Sequence, residues 1–265
     1  MSELVTYRVD GDVAVITLNN PERLNPMSGA LQQQMRQHLA AVAADKAVRA
    51  LLITAAGRAF CVGADLTGFG PSEDPRSLGN RTADAMHGQS NRLISDIRAL
   101  PVPVVVAVNG ATAGAGVGIA LSGDVVIAAK SAYFYLPFMC KLGIVPDLGT
   151  TWFYQRLLGT GRATALTLLG DRLPADKAAD WGLIWQCVDD AALQDEALAT
   201  ARRLAQLPAH AALETRRAYE AAAGHTLDQQ MHYEAERQRE LLDKPEMKEG
   251  VAAFLEKRAP RFPAR

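Results

Sequence analysis

The sequence has few cysteines and few aromatic residues, and neither sign of charge prevails. Its three cysteines, Cys61, Cys140 and Cys187, lie far apart without a CxxC pair, which argues against a disulfide framework or a zinc cluster. Lys and Arg number 28 against 29 Asp and Glu, so no basic excess indicates nucleic acid or an acidic membrane surface as a partner. We therefore predict a reducing compartment, no metal site and no nucleic-acid partner.

Long hydrophobic runs are also missing. No stretch approaches the roughly 20 apolar residues that a membrane-spanning helix needs. The first residues lack the basic segment followed by an apolar one that is typical of a signal peptide. We therefore expect a cytoplasmic protein without a membrane partner. A chain of 265 residues, 49% of them hydrophobic, is long enough to bury a full core.

The first part of the chain predicts alternating strands and helices. Residues 4–9 and 13–18 alternate apolar and polar side chains around Asp10-Gly11-Asp12, which predicts a β-hairpin. Residues 28–42 carry apolar side chains at helical spacing, with Ser28 as the candidate cap. Further helices and strands are predicted at residues 48–53, 81–100, 104–108, 125–129, 150–158, 162–169, 175–181 and 183–188. A loop is predicted at 67–80, which is rich in Gly and Pro.

From about residue 189 onward the pattern is helical. Four residues are predicted to interrupt it: Pro208, Gly224, Pro245 and Gly250. Strands that alternate with helices and are followed by helices alone predict an α/β core with a helical C-terminal extension.

The stretch from residue 103 to 147 is the most informative. After the apolar run 104–108, Gly114, Gly116 and Gly118 alternate with small residues, so the main chain can approach another group closely. A helix that begins there has amide N–H groups without partners inside the helix, and these can bind an anion. Asp147 ends the stretch and precedes the next helix, where it is either a functional carboxylate or a helix cap. A dinucleotide fingerprint would require Gly at position 119, which is Ile.

Five motifs in order resemble those of the enoyl-CoA hydratase/isomerase, or crotonase, superfamily. They are PERLNPMS at 21–28, RAFCVGADL at 58–66, VNGATAGAGVGIALSGD at 108–124, LTLLGDRLPADKAADWGLI at 166–184 and EGVAAFLEKRAPRF at 249–262. Within the family, WGLIWQCVDD and LGIVPDLGTTW are similar to segments of bacterial epoxyphenylacetyl-CoA isomerases of phenylacetate catabolism.

This resemblance implies an α/β fold with a crotonase-like ββα spiral core over residues 1–205, built on two roughly perpendicular sheets. A C-terminal helical extension over 206–265 is then expected to serve trimerisation and the CoA site. The resemblance also implies an acyl-CoA thioester substrate, no separate cofactor, a homotrimer or homohexamer, and an oxyanion hole formed by the N–H groups of Ala64 and Ala115. The expected substrate-binding residues, which also include Ala64 and Ala115, are Arg23, Asn25, Asp65, Leu66, Phe138, Phe254 and Lys257. Of these, Arg23, Phe254 and Lys257 are expected to hold CoA, whereas Asp65 also suits a structural role in its bend.

The sequence departs from the hydratases of this family at both glutamates that activate water. The first position is Gly118, and the second is Phe138 or Met139, none of which can transfer a proton. Asp147 lies where single-carboxylate members carry their acid, so the resemblance favours an isomerase in which Asp147 shuttles a proton. A hydratase that uses Asp147 alone and a catalytically silent member that binds CoA esters or RNA remain open alternatives.

Overall fold

The computed structural model describes residues 3–65, 73–263 and 265. Within these ranges the strands are β1 (Val5–Asp10), β2 (Val13–Leu18), β3 (Ala50–Ala55), β4 (Ala59–Cys61), β5 (Val104–Val108), β6 (Ala111–Ala113), β7 (Val125–Ala129), β8 (Tyr133–Tyr135), β9 (Leu173–Pro174) and β10 (Gln186–Val188). They form one sheet in the order β1-β2-β3-β5-β7-β10 and a second in the order β4-β6-β8-β9.

Helices lie between and after the strands. Their bounds are α1 (Gly29–Ala44), α2 (Leu78–Ala85), α3 (Asn91–Ala99), α4 (Ala115–Leu121), α5 (Thr150–Leu169), α6 (Ala175–Asp180), α7 (Leu193–Ala205), α8 (Ala211–Ala222), α9 (Leu227–Leu242) and α10 (Pro245–Leu255). Two five-residue π-helical turns lie at Met86–Ser90 and Phe138–Leu142. The predicted α/β class with a helical C-terminal region is confirmed.

The large sheet is covered on both faces, which explains the unbroken apolar run of β5. Val104, Val106 and Val108 belong to the main core together with α1 and α3, while Val105 and Ala107 pack with α7 on the other face. β5 pairs in parallel with β3 and β7, and every residue of the strand is buried. Alternate side chains of a strand point to opposite faces, so a strand between two helical layers must be apolar throughout.

The small sheet brings two chain bends to one edge. β4 and β6 are parallel, so the segments that leave their C-terminal ends emerge side by side. Ala64 follows β4 after the bend at Gly63, and α4 follows β6 after the bend at Gly114. β6, β8 and β9 were not predicted from the sequence, because each is only two or three residues long.

Several predicted boundaries differ from the observed ones. The helix predicted at 81–100 begins at Leu78, capped by Ser77, and includes the π-turn at Met86–Ser90. The two helices predicted at 150–158 and 162–169 form α5, which is kinked where Gly159 has non-helical angles of φ 74° and ψ 160°. Of the predicted loop, residues 67–72 lie outside the described residues and 78–80 are helical.

Two further expectations from the sequence were wrong. The strand expected at 183–188 is confined to Gln186–Val188, because residues 181–185 form turns and bends. Gly250 does not interrupt a helix, since it lies inside Pro245–Leu255. Pro245 occupies the first turn of that helix, where a missing N–H costs nothing.

A buried arginine attaches α8 to the core. Arg216, only 6% exposed, donates hydrogen bonds to the carbonyls of Arg98, Leu100 and Val102 and forms an ion pair with Asp124. Asp124 in turn accepts the N–H of Val104 at 2.8 Å. The predicted boundary between residues 205 and 206 falls directly after α7, and the next helix, α8, is tied to the segment before β5 through this arginine. Among the described helices, none has the length and apolar character required to cross a bilayer.

Candidate active site

The two bends at the edge of the small sheet contact each other through their backbones. A Cβ atom on Gly63 would lie 3.4 Å from the nitrogen of Ala115, and one on Gly116 only 2.2 Å from the carbonyl oxygen of Cys61. Gly63 has φ 94° and Gly114 φ 53°, values that favour glycine. The small residues that stand out in the sequence are therefore required by this close approach.

The bends present backbone N–H groups in a fixed geometry. Ala115 is the first residue of α4, so its N–H has no acceptor within the helix. Ala64 is held by an isolated parallel bridge to Met27, whose N–H donates to the carbonyl of Gly63 at 2.8 Å. Phe138 is buried and packs behind Gly114, since a Cβ there would lie 3.6 Å from its Cζ. Phe138 thus supports the bend.

A cavity of about 450 Å³ opens at these bends. It unites Ala64 and Ala115 with Asp147, although the three residues come from distant parts of the chain. Its other lining residues are Met27, Ser28, Gly29, Gln32, Asp65, Leu78, Arg81, Thr82, Ala85, Met86, Ser90 and Leu148. The wall opposite the bends is made by α1, α2 and the first π-turn.

Asp147 is half-buried in a tight turn between the second π-turn and α5. Its backbone carbonyl accepts the N–H of Thr150 at 2.9 Å, while its Oδ1 atom is buried without a hydrogen-bond partner among the described residues. Burial raises the pKa of this carboxyl to about 6. The N-cap of α5 is Gly149, and no described side chain caps the helix, so Asp147 does not act as a cap here.

Other residues predicted for the site lie outside this cavity lining. Asn25 is fully buried; its side chain accepts the N–H of Asn20 and donates to the carbonyls of Ala56 and Ala59, so it holds loops together. Arg23 forms an ion pair at 3.2 Å with Asp65, which does line the cavity.

The C-terminal candidates are on the protein surface. Phe254 is 83% exposed near the end of α10, and Lys257 follows that helix with φ 55°. Neither lines the cavity within one chain. Leu66 lies outside the described residues. The CoA contacts expected of Phe254 and Lys257 therefore stay predictions.

Most of the polar residues that line the cavity were not predicted from the sequence: Ser28, Gln32, Arg81, Thr82 and Ser90. Ser28 was predicted only as a helix cap, and it does cap α1 by accepting the N–H of Leu31. Gln32 is 5% exposed, donates to the carbonyl of Met27, and has a buried Oε1 without a partner among the described residues. A polar residue on the buried stripe of a predicted amphipathic helix was the available signal.

The fold and the cavity together define a crotonase-type enzyme, and comparison with known proteins agrees. The sequence profile of the enoyl-CoA hydratase/isomerase family matches residues 8–265, and the chain belongs to this family. It is 42% identical to 1,2-epoxyphenylacetyl-CoA isomerase of Escherichia coli (strain K12), over 99% of each chain. A protein named probable enoyl-CoA hydratase from Rhodobacter capsulatus is 38% identical over 98% of each chain.

Solved structures share the fold. The crystal structure of an enoyl-CoA hydratase from Polaromonas sp. JS666 superimposes with a TM-score of 0.90 at 30% identity, covering 98% of this chain and 99% of that one. The crotonase fold expected from the sequence motifs is confirmed. The names of the relatives include both isomerases and hydratases, so they do not determine the reaction of this chain.

Proposed function

We propose that this chain is an acyl-CoA isomerase in which Asp147 moves a proton along the acyl chain. The observation that carries the proposal is the shared cavity: one carboxyl group of raised pKa and the two backbone bends at Ala64 and Ala115 line the same space. The hydratase glutamate positions are Gly118 and Phe138 or Met139, none of which can transfer a proton. Of the two carboxyls that line the cavity, Asp65 forms an ion pair with Arg23, whereas burial raises the pKa of Asp147, so Asp147 is the better proton-transfer group.

The proposed reaction shifts a double bond through an enolate. The Asp147 carboxylate removes a proton from the carbon next to the thioester of a 3-enoyl-CoA. The electron pair moves onto the thioester oxygen, which accepts hydrogen bonds from the N–H groups of Ala64 and Ala115. Asp147, now a carboxylic acid, returns the proton two carbons further along and the 2-enoyl-CoA forms. No atom is gained or lost.

The raised pKa of Asp147 suits this shuttle. With a pKa of about 6 the carboxyl is mostly ionised at neutral pH, yet it holds a proton far better than an ordinary aspartate. A base whose pKa lies near the working pH can accept the proton and can also release it. We expect kcat/KM to fall as the pH drops below about 6, because the protonated carboxyl cannot act as the base.

We further propose a ring-containing acyl group as the substrate. The support is the relative named 1,2-epoxyphenylacetyl-CoA isomerase, which matches this chain over 99% of its length. The cavity wall supplied by α2 and the π-turn at Met86–Ser90 would determine which acyl group fits.

The second candidate is an enoyl-CoA hydratase that activates water with Asp147 alone. The Rhodobacter relative named probable enoyl-CoA hydratase favours this alternative. Incubation with crotonyl-CoA separates the two, since only a hydratase forms the 3-hydroxyacyl product. Conversion of a 3-enoyl-CoA into the conjugated 2-enoyl-CoA identifies an isomerase.

Asp147→Asn tests the role of the carboxyl. We expect the variant to bind the acyl-CoA with unchanged affinity but to lose turnover, because the amide cannot accept the proton. Full activity in this variant would refute the proposal. Failure of the wild-type protein to turn over any enoyl-CoA would favour the catalytically silent alternative. A gel shift at physiological salt would then distinguish a protein that binds RNA from one that binds CoA esters.

We also propose that the chain assembles as a homotrimer or homohexamer. Large apolar side chains are exposed around a second cavity of about 840 Å³, among them Trp185 at 73% and Tyr219 at 77% exposure. An exposed apolar patch of this kind indicates an interaction surface. Light scattering after size exclusion would measure the mass, and a monomer at micromolar concentration would refute the assembly.

A further inference from the structure

Gly118 of α4 lies against the turn that carries Asp147. A Cβ atom at this position would lie 2.6 Å from the carbonyl oxygen of Leu148 and 2.8 Å from its Cβ. Carbon atoms do not approach backbone oxygen so closely, so any side chain at position 118 must displace the turn relative to α4. Because Gly118 has no side chain, Leu148 can pack directly against α4.

The turn itself has little freedom to move away. Leu148 is 3% exposed and has φ 50°, a left-handed conformation that is uncommon for a residue with a side chain. Gly149 follows with φ 74°. A buried residue in such a conformation persists only where its surroundings fix it. The contact with Gly118 is one of those constraints.

One short helix thus serves both halves of the proposed site. Ala115 begins α4 and offers its N–H to the thioester oxygen, and Gly118 lies three residues further along the same helix. A helix rises about 1.5 Å per residue, so the two positions are separated by about 4.5 Å along one rigid turn. Gly118 therefore connects the helix that carries the Ala115 N–H to the turn that carries Asp147.

We propose that Gly118 is a positioning residue that sets the Asp147 carboxyl at its working distance from the Ala115 N–H. We also propose that the close contact between Gly118 and Leu148 leaves no space for a glutamate at position 118. The inference rests on the proposed function of Asp147. It also means that the single-carboxylate site and a glutamate at this position are alternatives. Restoring the glutamate alone would displace the remaining carboxyl instead of adding a second one to it.

The test is Gly118→Ala, with Gly123→Ala as the matched control. A Cβ at Gly123 would lie 2.6 Å from Cγ2 of Val106, so the control introduces a contact of the same length, to a side chain instead of the backbone, and Gly123 is absent from the lining of the active-site cavity. A displacement of about 1 Å in a reacting group can cost about 10²-fold in rate. We expect a kcat lower by about that factor for Gly118→Ala, with KM for the acyl-CoA changed by less than about threefold. Gly123→Ala keeps its kcat per folded enzyme.

Two further measurements separate positioning from general damage. A ¹³C NMR titration of the aspartate carboxyls should show a changed pKa for Asp147 in Gly118→Ala and an unchanged one in Gly123→Ala. Adding Leu148→Gly to Gly118→Ala removes one of the two close contacts and relieves the left-handed conformation, so part of the lost kcat should return.

The outcomes distinguish this inference from the proposed function. An active Asp147→Asn variant would refute the proposed function. An inactive Asp147→Asn together with a Gly118→Ala variant of unchanged kcat and unchanged Asp147 titration would overturn the positioning role alone. If Gly118→Ala does not fold, the double variant with Leu148→Gly decides: it must fold and recover activity, or the inference is wrong.

Discussion

Replacing Asp147 with Asn should stabilise the protein, and the gain should grow with pH. The carboxyl has a pKa of about 6 in the folded chain because burial disfavours its charged form. An aspartate in an unfolded chain has a pKa of about 3.9, so the folded state holds this proton more tightly. Asp147 therefore contributes stability below about pH 3.9 that is lost as the pH rises through about 6. Asparagine has a similar shape and does not titrate.

The magnitude follows from the two pKa values. The complete difference of about two pH units corresponds to about 3 kcal/mol in the free energy of unfolding. Between about pH 5 and pH 8, the part still to be lost is about 1.4 kcal/mol. The stability of Asp147→Asn minus that of the wild type should increase by this amount, which corresponds to about 3–6 °C in Tm.

Urea denaturation of both proteins across this pH range measures the difference, and all other titrating groups cancel in it. The wild-type pH profile of kcat/KM gives the pKa of the same carboxyl independently, near 6 in the free enzyme. A stability difference that is independent of pH would refute the claim that burial raises the pKa of Asp147, even if the variant were inactive.

Three other variants test separate parts of the structure. Ala115→Pro removes an oxyanion N–H at the first position of α4, where proline is tolerated, and should lower kcat by about 10²–10³-fold while Leu227→Pro, at the first position of α9, leaves it unchanged. Arg216→Leu leaves Asp124 with Arg98 alone, at 3.9 Å, and removes the hydrogen bonds to three backbone carbonyls, so it should cost about 2–4 kcal/mol of unfolding free energy; a loss below about 1 kcal/mol in urea would contradict this. Lys257→Ala should raise KM for intact acyl-CoA about two- to fivefold without changing kcat, and an equal effect on an N-acetylcysteamine thioester, which lacks the CoA phosphates, would exclude a phosphate contact.

The long buried elements of the fold were predictable from the sequence. The run 104–108 lies between Pro103 and Asn109, and the observed strand Val104–Val108 has the same limits. The hairpin of β1 and β2 likewise followed from two alternating runs around Asp10-Gly11-Asp12. In each case one local pattern is sufficient, because burial on known faces determines both the residue types and the length.

The second sheet and the site depend on contacts between distant segments. β6, β8 and β9 are too short to show any periodicity, and they are recognisable as strands only through their pairing. Asn25 lies in a family motif and was expected to contact the substrate, yet its side-chain amide makes its hydrogen bonds to backbone groups. That Asp147 lies in the cavity of Ala64 and Ala115 follows from the folded chain, because no spacing in the sequence relates the three.

The hydrogen bonds and the ion pair of Arg216 affect how the protein unfolds locally. The guanidinium holds carbonyls of the segment that leads into β5, and its carboxylate partner fixes the first amide of that strand. α8 should therefore exchange its amide hydrogens for deuterium together with the central strand of the large sheet, as one cooperative unit. A chain shortened to residue 205 would leave Asp124 with Arg98 at 3.9 Å in place of Arg216, and would remove the hydrogen bonds that the carbonyls of Leu100 and Val102 accept from Arg216. The last sixty or so residues are therefore expected to be required for the full stability of the core.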